Sequence, residues 1–442
     1  MYKFLASLYI QKRTYYTLVA VSLCFLFAFW LETFFFLAWL ILGILIIFIG
    51  IELVYLYSKN FFYAERNLPE KLSNSDANEI QIEFVNRYAF SINVECIDEV
   101  PFQFQKRDFL VELKLKPKEK ITKTYELTPV ERGVYVFGKL NCYISSPFQL
   151  IKRRFIFGEN QEVKVYPSFI QMKEFDYMSE HKMNLFGFKK IRKIGHTLEF
   201  EQIKEYVKGD DVRTINWKAT AKHRQLMVNQ YQDEKSQPVY SLIDSGRAMK
   251  MPFNGLSLLD YAINSSLAFS NIALKKGDKV GLLEFSHQIG KFCHANSRRS
   301  HLINLMEALY NIKTEFLTSD LGKVYIHAQR KMTQRGLLLF YTNYEHIEAM
   351  RRQLPYLKAI NKRHLLVVIF FENTELKKVT ETKANSIYEV TEKIIAKDLQ
   401  YEKRLMVEEL KNNGIRSLLT KPEELSMNTI NTYLAIKAKG VL

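Results

Sequence analysis

The amino-acid sequence predicts a mixed α/β protein: a doubly wound sheet, preceded by a small antiparallel β-sandwich and an N-terminal transmembrane helical hairpin. Three observations predict it. Two uncharged apolar runs lie before residue 60, period-two alternation fills residues 79–169, and strand and helix patterns alternate from residue 238 onward. The implied domains are 1–60, 61–170, a linker and signature segment at 171–236, and 237–442. A chain of 442 residues has room for them. Its 48% hydrophobic content excludes a disordered chain, and four cysteines exclude a disulfide scaffold. The 63 basic and 47 acidic residues leave a net charge of +16, which favours an anionic neighbour.

The first apolar run, Tyr15 to Leu31, carries no charge, and Glu32-Thr33 interrupts it. The second runs from Phe34 to Ile51 and continues past Glu52. A spanning helix needs about 20 apolar residues, so each run is read as a span. Lys3, Lys12 and Arg13 precede the first span, Lys59, Arg66 and Lys71 follow the second, and the turn has no basic residue. The positive-inside rule then places both ends in the cytoplasm, so the chain is expected in the inner membrane, multi-pass, with its bulk facing the cytoplasm. Cys24 is read as an apolar membrane side chain, and Glu52 as lying near the interface within reach of water.

Short alternating strands follow, among them Ile80-x-Ile82-x-Phe84, Ile92-x-Val94 and Val111-x-Leu113-x-Leu115. Turn signals at this spacing suggest a small sandwich, acting as a spacer or interaction module. Cys96 and Cys142 lie on such strands and are expected to be reduced core residues. Residues 170–198 read as a basic, solvated connector.

In the C-terminal half, Pro238–Asp244 is a hydrophobic strand ending in an acid, followed by a helix over about 257–275. Strands are read at 279–286, 288–294, 336–342, 365–371 and 415–419, with helices at 300–312, 346–360, 390–412 and 422–437. The runs GLLLFYT and LLVVIFF are apolar throughout, which marks strands buried on both faces. Ligands of such sheets sit beyond the strand C-termini.

Between the β and α/β modules stands a distinctive pattern: Gly195, Glu199-Phe200, Tyr206, Gly209-Asp210-Asp211, Arg213, Ile215, Trp217 and Ala219. It resembles the signature of the bacterial family called domain of unknown function fifty-eight. The resemblance extends in outline over the chain, through two spans, a β module with Arg132-Gly133 at a turn, the signature, and a von Willebrand A-like module. Ser146-Pro147-Phe148-Gln149-Leu150 departs from the Asp-Pro-Phe-Gly-Leu frequent in relatives. The resemblance implies a membrane-tethered adaptor, with a MoxR-type AAA+ ATPase and other von Willebrand A-like membrane proteins as partners alongside the lipid bilayer.

Read physically, Gly209 permits a tight turn and an Asp accepts backbone hydrogen bonds there, with Trp217 expected to anchor the segment in a core. The von Willebrand A pattern implies a cation site with Asp-x-Ser-x-Ser after the first strand, a Thr on a second loop and an Asp after a later strand. Here the loop reads Asp244-Ser245-Gly246-Arg247-Ala248, and the later strand ends in Thr342-Asn343. Gly246 and Ala248 stand at the serine positions and Asn343 where the acid is expected, so the site is degenerate. Mg²⁺ at Asp244 is disfavoured, because that ion wants hard oxygen ligands and Arg247 repels it. No cofactor is expected, and Arg247 is read as docking a partner's acidic side chain in the metal's place.

The chain lacks a Gly-x-x-x-x-Gly-Lys-Ser/Thr loop, a Gly-x-Ser-x-Gly elbow and His-Glu-x-x-His. The expected function is therefore a non-enzymatic scaffold whose von Willebrand A-like module binds proteins. The alternative is an enzyme of unknown chemistry using Glu199, Asp210 and Asp211. The basic excess is spread along the chain without a nucleic-acid motif, so nucleic acid is not an expected partner. His181, His196, His223 and His301 lack metal-ligand spacing and are read as surface residues.

Overall fold

The computed structural model describes residues 4, 6–58, 61–106, 109–169, 171–172, 199–232, 237–382 and 386–440, with backbone alone at 199–202 and 230–232. The basic connector apart from residues 171–172, with Gly195, His181 and His196, lies outside the described residues. The chain forms two compact units, Met1–Val165 and Tyr166–Leu442.

The first unit opens with strand β1 (Leu8–Ile10), then helices α1 (Lys12–Phe27) and α2 (Glu32–Tyr57). At 1.5 Å per residue, α1 is about 24 Å long, short of the roughly 30 Å hydrocarbon layer. The apolar run extends further than the helix, which ends where Ala28–Trp30 turn. Helix α2 has 26 residues and is, among the described residues, the helix long and apolar enough to cross a membrane. Phe25 of α1 packs edge-on to Phe35 and Trp39 of α2.

Ten further strands follow: β2 (Phe62–Asn67), β3 (Lys71–Ser73), β4 (Asn78–Asn86), β5 (Ile92–Asp98), β6 (Leu110–Leu115), β7 (Lys120–Leu127), β8 (Gly133–Phe137), β9 (Leu140–Ser145), β10 (Ile151–Phe157) and β11 (Gln161–Tyr166). They form sheets ordered β1-β10-β9-β5-β6, β2-β4-β7 and β3-β11-β8. Alternate residues of the first two sheets, including Ile82, Phe84, Val94, Cys96, Cys142 and Ile144, meet in one core with Leu56 of α2. Cys96 lies opposite Cys142 in the β5–β9 ladder, their sulfurs 3.0 Å apart as free thiols.

Glu52 corrects an expectation. It is fully buried rather than near water. Its carboxylate accepts from Ser146 Oγ at 2.6 Å and from the Leu150 and Ile151 amides at 3.1 Å. The same loop receives α1, since Thr14 Oγ1 donates to the Leu150 carbonyl at 2.6 Å and Arg13 to that of Phe148 at 3.4 Å. At the corner between β9 and β10 a buried carboxylate thus satisfies these two amides.

The second unit begins with a hairpin of β12 (Glu199–Glu205) and β13 (Met227–Gln232) around the short helix α3 (Trp217–His223). Then come β14 (Pro238–Asp244), the two-residue strands β15 (Pro252–Phe253) and β16 (Leu256–Ser257), α4 (Leu258–Lys275), β17 (Lys279–Phe285), β18 (Ile289–Asn296), α5 (His301–Tyr310) and α6 (Leu321–Lys331). The chain continues through β19 (Leu337–Tyr341), α7 (Ile347–Arg363), β20 (Leu365–Phe371), α8 (Thr374–Glu381), α9 (Ile387–Asn412), β21 (Arg416–Thr420) and α10 (Leu425–Ala438). Six strands form one sheet in the order β18-β17-β14-β19-β20-β21, parallel except for β18.

Side chains of a strand alternate between faces, so an apolar run buries both. Val239, Ile243, Leu339 and Ile369 meet α4, α5 and α10 on one face. Leu242, Phe340, Val368 and Phe370 meet α6, α7 and α9 on the other. Chain order reverses direction between β14 and β19, which leaves a crevice at their C-terminal ends. The sequence reading missed α6 and α8. Helix α6 buries Leu321, Val324 and Ala328 within a short basic segment, and α8 buries none of its residues. His301 is buried, not on the surface.

His364, between α7 and β20, is 3% exposed, and neither ring nitrogen has a partner among the described residues. Burial, helped by Arg363 and Arg335, lowers its pKa to about 4. A depressed folded pKa gives stability that is complete above the unfolded value of about 6.5 and is lost as pH falls towards 4. Screening by water reduces the arginine contributions, so the expected loss is about 2 kcal/mol rather than the full shift. His364→Leu should remove this loss. Denaturant unfolding at pH 7 and pH 4.5 measures it, and equal acid sensitivity in both proteins would reject the assignment.

Candidate functional site at the strand ends

Asp244 ends β14 beside the crevice and is 4% exposed. One carboxylate oxygen accepts from the Gly246 amide at 2.8 Å and from Ser319 Oγ, and the other from Thr342 Oγ1 at 2.7 Å. Burial pushes the Asp244 pKa up, and these three donors oppose it. Ser245 turns away, donating to the Phe285 carbonyl at 3.1 Å and to Glu284 at 3.2 Å.

Gly246 has an extended backbone, so its φ does not demand glycine. Space does. A Cβ there would overlap Ser319 Oγ and stand 2.9 Å from Asp244 Oδ1 and 3.2 Å from the Leu317 carbonyl. Ser319, on the loop before α6, thus delivers a hydroxyl where a side chain at 246 would begin.

The cleft measures 300 Å³ and is lined by Asp244, Arg247, Ala248, Ser319, Thr342 and Asn343 among others. Five of the six residues read as the degenerate ion loop, Asp244, Arg247, Ala248, Thr342 and Asn343, thus line one cleft, and the sixth, Gly246, gives its amide to Asp244. Arg247 is exposed and meets Glu345 only at 3.5 Å. Asn343 faces Lys403 of α9, whose ammonium donates to Asn343 Oδ1 at 2.8 Å and to the Tyr344 carbonyl. Asn343 Nδ2 reaches the Ala248 carbonyl at 3.5 Å. Burial lowers the Lys403 pKa to about 8, against the pull of Glu345 and Glu402. The Asp244 carboxylate thus accepts three internal hydrogen bonds, and the Lys403 ammonium sits beside Asn343.

The signature segment is a separate surface. Gly209 holds φ +116, the left-handed region that a side chain resists. Asp210 accepts from the Val207 amide and Lys204 Nζ, both at 3.0 Å, and these hold its pKa below the usual range. Asp211 accepts from the Arg213 amide at 2.9 Å, capping a short turn, rather than pairing with the Arg213 guanidinium. Both carboxylates are committed to the local backbone. Ile215 bridges to Val228, Ala219 receives the Asn216 cap, and Tyr206 bonds to the Leu226 carbonyl through its amide. Trp217 is 70% exposed, which corrects the expected core anchor: among the described residues, the two-stranded hairpin with one short helix has no second layer over it. Glu199 and Phe200 begin β12, where only the backbone is described.

Residues 202–387 match the family model described as "Protein of unknown function DUF58". Over this segment, less than half of its length, the chain is similar to the DUF58 family. It is 26% identical over 128 residues to the uncharacterized protein YeaD of Bacillus subtilis (strain 168), covering 29% of this chain and 32% of that relative. The match thus spans about a third of the relative's length. Among solved structures, an aerotolerance-related membrane protein from Bacteroides fragilis NCTC 9343 with multiple mutations to serines is similar at 16% identity and TM-score 0.25, over 30% of this chain and 67% of that one. The conserved hypothetical protein BatB from Bacteroides thetaiotaomicron is similar at 14% identity and TM-score 0.30, over 46% of this chain and 100% of that one.

The DUF58 match takes in Asp244, Ser319 and Thr342 but stops before Lys403. Ser319 and Lys403 were absent from the sequence reading. Ser319 sits in a polar Thr-Ser-Asp run that reads only as a helix start, and Lys403 is one of many lysines on an amphipathic helix.

Proposed function

We propose that this protein is a membrane-anchored scaffold that performs no catalysis and binds partner proteins at the strand ends of its C-terminal unit. The observation that carries this reading is the Asp244 carboxylate, closed by three internal donors beside an exposed, weakly paired Arg247. Such a loop offers a partner a fixed cation and no reactive group. In this reading the C-terminal unit is a von Willebrand A-like, doubly wound fold. Helices α1 and α2 are a two-span hairpin in the inner membrane, with the bulk of the chain on the cytoplasmic side, as the flanking lysines and arginines favour. Arg247 receives a partner's acidic side chain in place of a metal, and Mg²⁺ does not bind tightly. Titration calorimetry yielding a micromolar Mg²⁺ affinity at Asp244 would sink that part.

The resemblance supplies the partner class, a MoxR-type AAA+ ATPase and its client, with other von Willebrand A-like membrane proteins. The exposed Val207, Val212 and Trp217 supply a second contact surface. Arg247→Glu and Trp217→Ala should each lower ATPase recovery about tenfold or more in co-purification from mild detergent, as expected when an interface loses an Arg or Trp anchor. Neither should lower the melting temperature. Wild-type protein that recovers no ATPase under any nucleotide condition would overturn the partner, and cleavage of the body by protease added outside intact spheroplasts would overturn the orientation.

A further inference from the structure

In the sheet β1-β10-β9-β5-β6 of the first unit, the ladders set Ile10 beside Ile151, Lys152 beside Ser145, Ser145 beside Asn93 and Ile92 beside Leu115. Residues 11–13, 146–150, 87–91 and 116–119 therefore project from one end of this sheet. That end is fastened to α2. Glu52 holds the corner at Leu150 and Ile151, the Leu56 carbonyl accepts from the Tyr88 hydroxyl at 3.0 Å, and the Phe90 ring meets Tyr55 edge-on at 5.8 Å. The Asn86 amide then links this loop to the next, donating to the Phe90 carbonyl at 3.1 Å and to that of Lys116 at 2.8 Å.

The uncharged stretch Phe34–Ile51 of α2 rises about 27 Å, close to the roughly 30 Å hydrocarbon layer. With α2 embedded, its turns from Glu52 onward stand in the headgroup layer, and this end of the sheet stands there with them. Its side chains suit that depth. Tyr55 and Phe148 are 55% and 47% exposed, aromatic groups of the kind that anchor at a membrane interface. Lys12, Arg13, Arg87, Lys116 and Lys118 are exposed, and none makes an ion pair among the described residues. Glu119, the acid of these four segments, accepts from the Lys116 amide at 2.6 Å.

We propose that this rim binds anionic phospholipids, their phosphates against its lysines and arginines, with Tyr55 and Phe148 seated between the headgroups. Net negative charge is what the rim selects, because the ammonium of a zwitterionic lipid offsets its phosphate. The proposal rests on α2 crossing the bilayer and deepens that reading by naming the lipid class and the residues that choose it. It is independent of the Arg247 surface and of any protein partner.

The test uses the full chain reconstituted in phosphatidylcholine bilayers with a trace of spin-labelled phosphatidylglycerol or spin-labelled phosphatidylcholine. Electron paramagnetic resonance separates lipid held at the protein from free lipid and gives the relative association of the two. Phosphatidylglycerol should associate about twofold or more strongly, averaged over the whole lipid shell, and 1 M NaCl should bring the ratio towards one. Lys12→Gln, Arg87→Gln, Lys116→Gln and Lys118→Gln together should also bring it to about one. Lys106→Gln with Lys139→Gln, which remove charge from the loops at the other end of the sheet, should leave it unchanged. Equal association of both lipids with the wild-type protein, or an unaltered ratio in the fourfold variant, would overturn the proposal and leave the span intact. Absence of held lipid with either label would instead overturn the span, and the proposal with it.

Discussion

Glu52→Ala should destabilise the first unit by about 3 kcal/mol, because it strips two buried amides and a hydroxyl of their charged acceptor. The lost partners are the Leu150 and Ile151 amides and Ser146 Oγ, all in the corner between β9 and β10. Glu52→Gln keeps one acceptor oxygen but sets an NH₂ group against a donor, so it should recover only part of the loss. Denaturant unfolding of the full chain in nanodiscs, followed by protease sensitivity of the β strands, measures the effect. An unchanged midpoint for Glu52→Ala would show that the carboxylate is incidental to the fold.

The second large effect concerns rebuilding a cation site. Gly246→Ser alone should cost about 2 kcal/mol and gain no Mg²⁺ affinity, since overpacking a closed site forces its neighbours apart. The new Cβ meets Ser319 Oγ and the Leu317 carbonyl, and the latter is backbone that cannot rotate away. Adding Ser319→Gly makes room, and Ala248→Ser with Asn343→Asp supplies hard oxygen ligands. Lys403 then competes, because its ammonium already sits 2.8 Å from the oxygen of residue 343. The fourfold variant should bind Mg²⁺ weakly, and adding Lys403→Met should tighten it about tenfold or more by removing that cation. Calorimetry with Mg²⁺ on the series decides it. Tight binding by Gly246→Ser alone would refute the steric argument.

The strands of the six-stranded sheet and most of the helices on it were legible, helped by GLLLFYT and LLVVIFF being apolar throughout, whereas the hairpin of β12 and β13 with α3 was not. Helix α6 was not, being short with three buried residues among basic ones, and α8 was not, since it buries none of its residues. The loop from Asp244 to Ala248 and its partners Thr342 and Asn343 were legible from residue types in a known pattern. Ser319 was not, since nothing in sequence spacing ties it to Asp244 across 75 positions. Trp217 shows the opposite error: a large aromatic suggests a core, yet among the described residues the hairpin that carries it has no second layer. Glu52 was misplaced for a related reason, as an acid at the end of an apolar run looks like a marker of water until the strand corner that receives it is known.

That corner has a mechanical consequence. Thr14 and Arg13 of α1 grip one side of residues 146–151, and Glu52 of α2 grips the other. With α2 embedded in lipid, the β-sandwich is carried like a head on a stiff mast rather than a float on a rope. Any change in the tilt of α2, from a thicker bilayer or a neighbouring helix, swings the sandwich through the same angle.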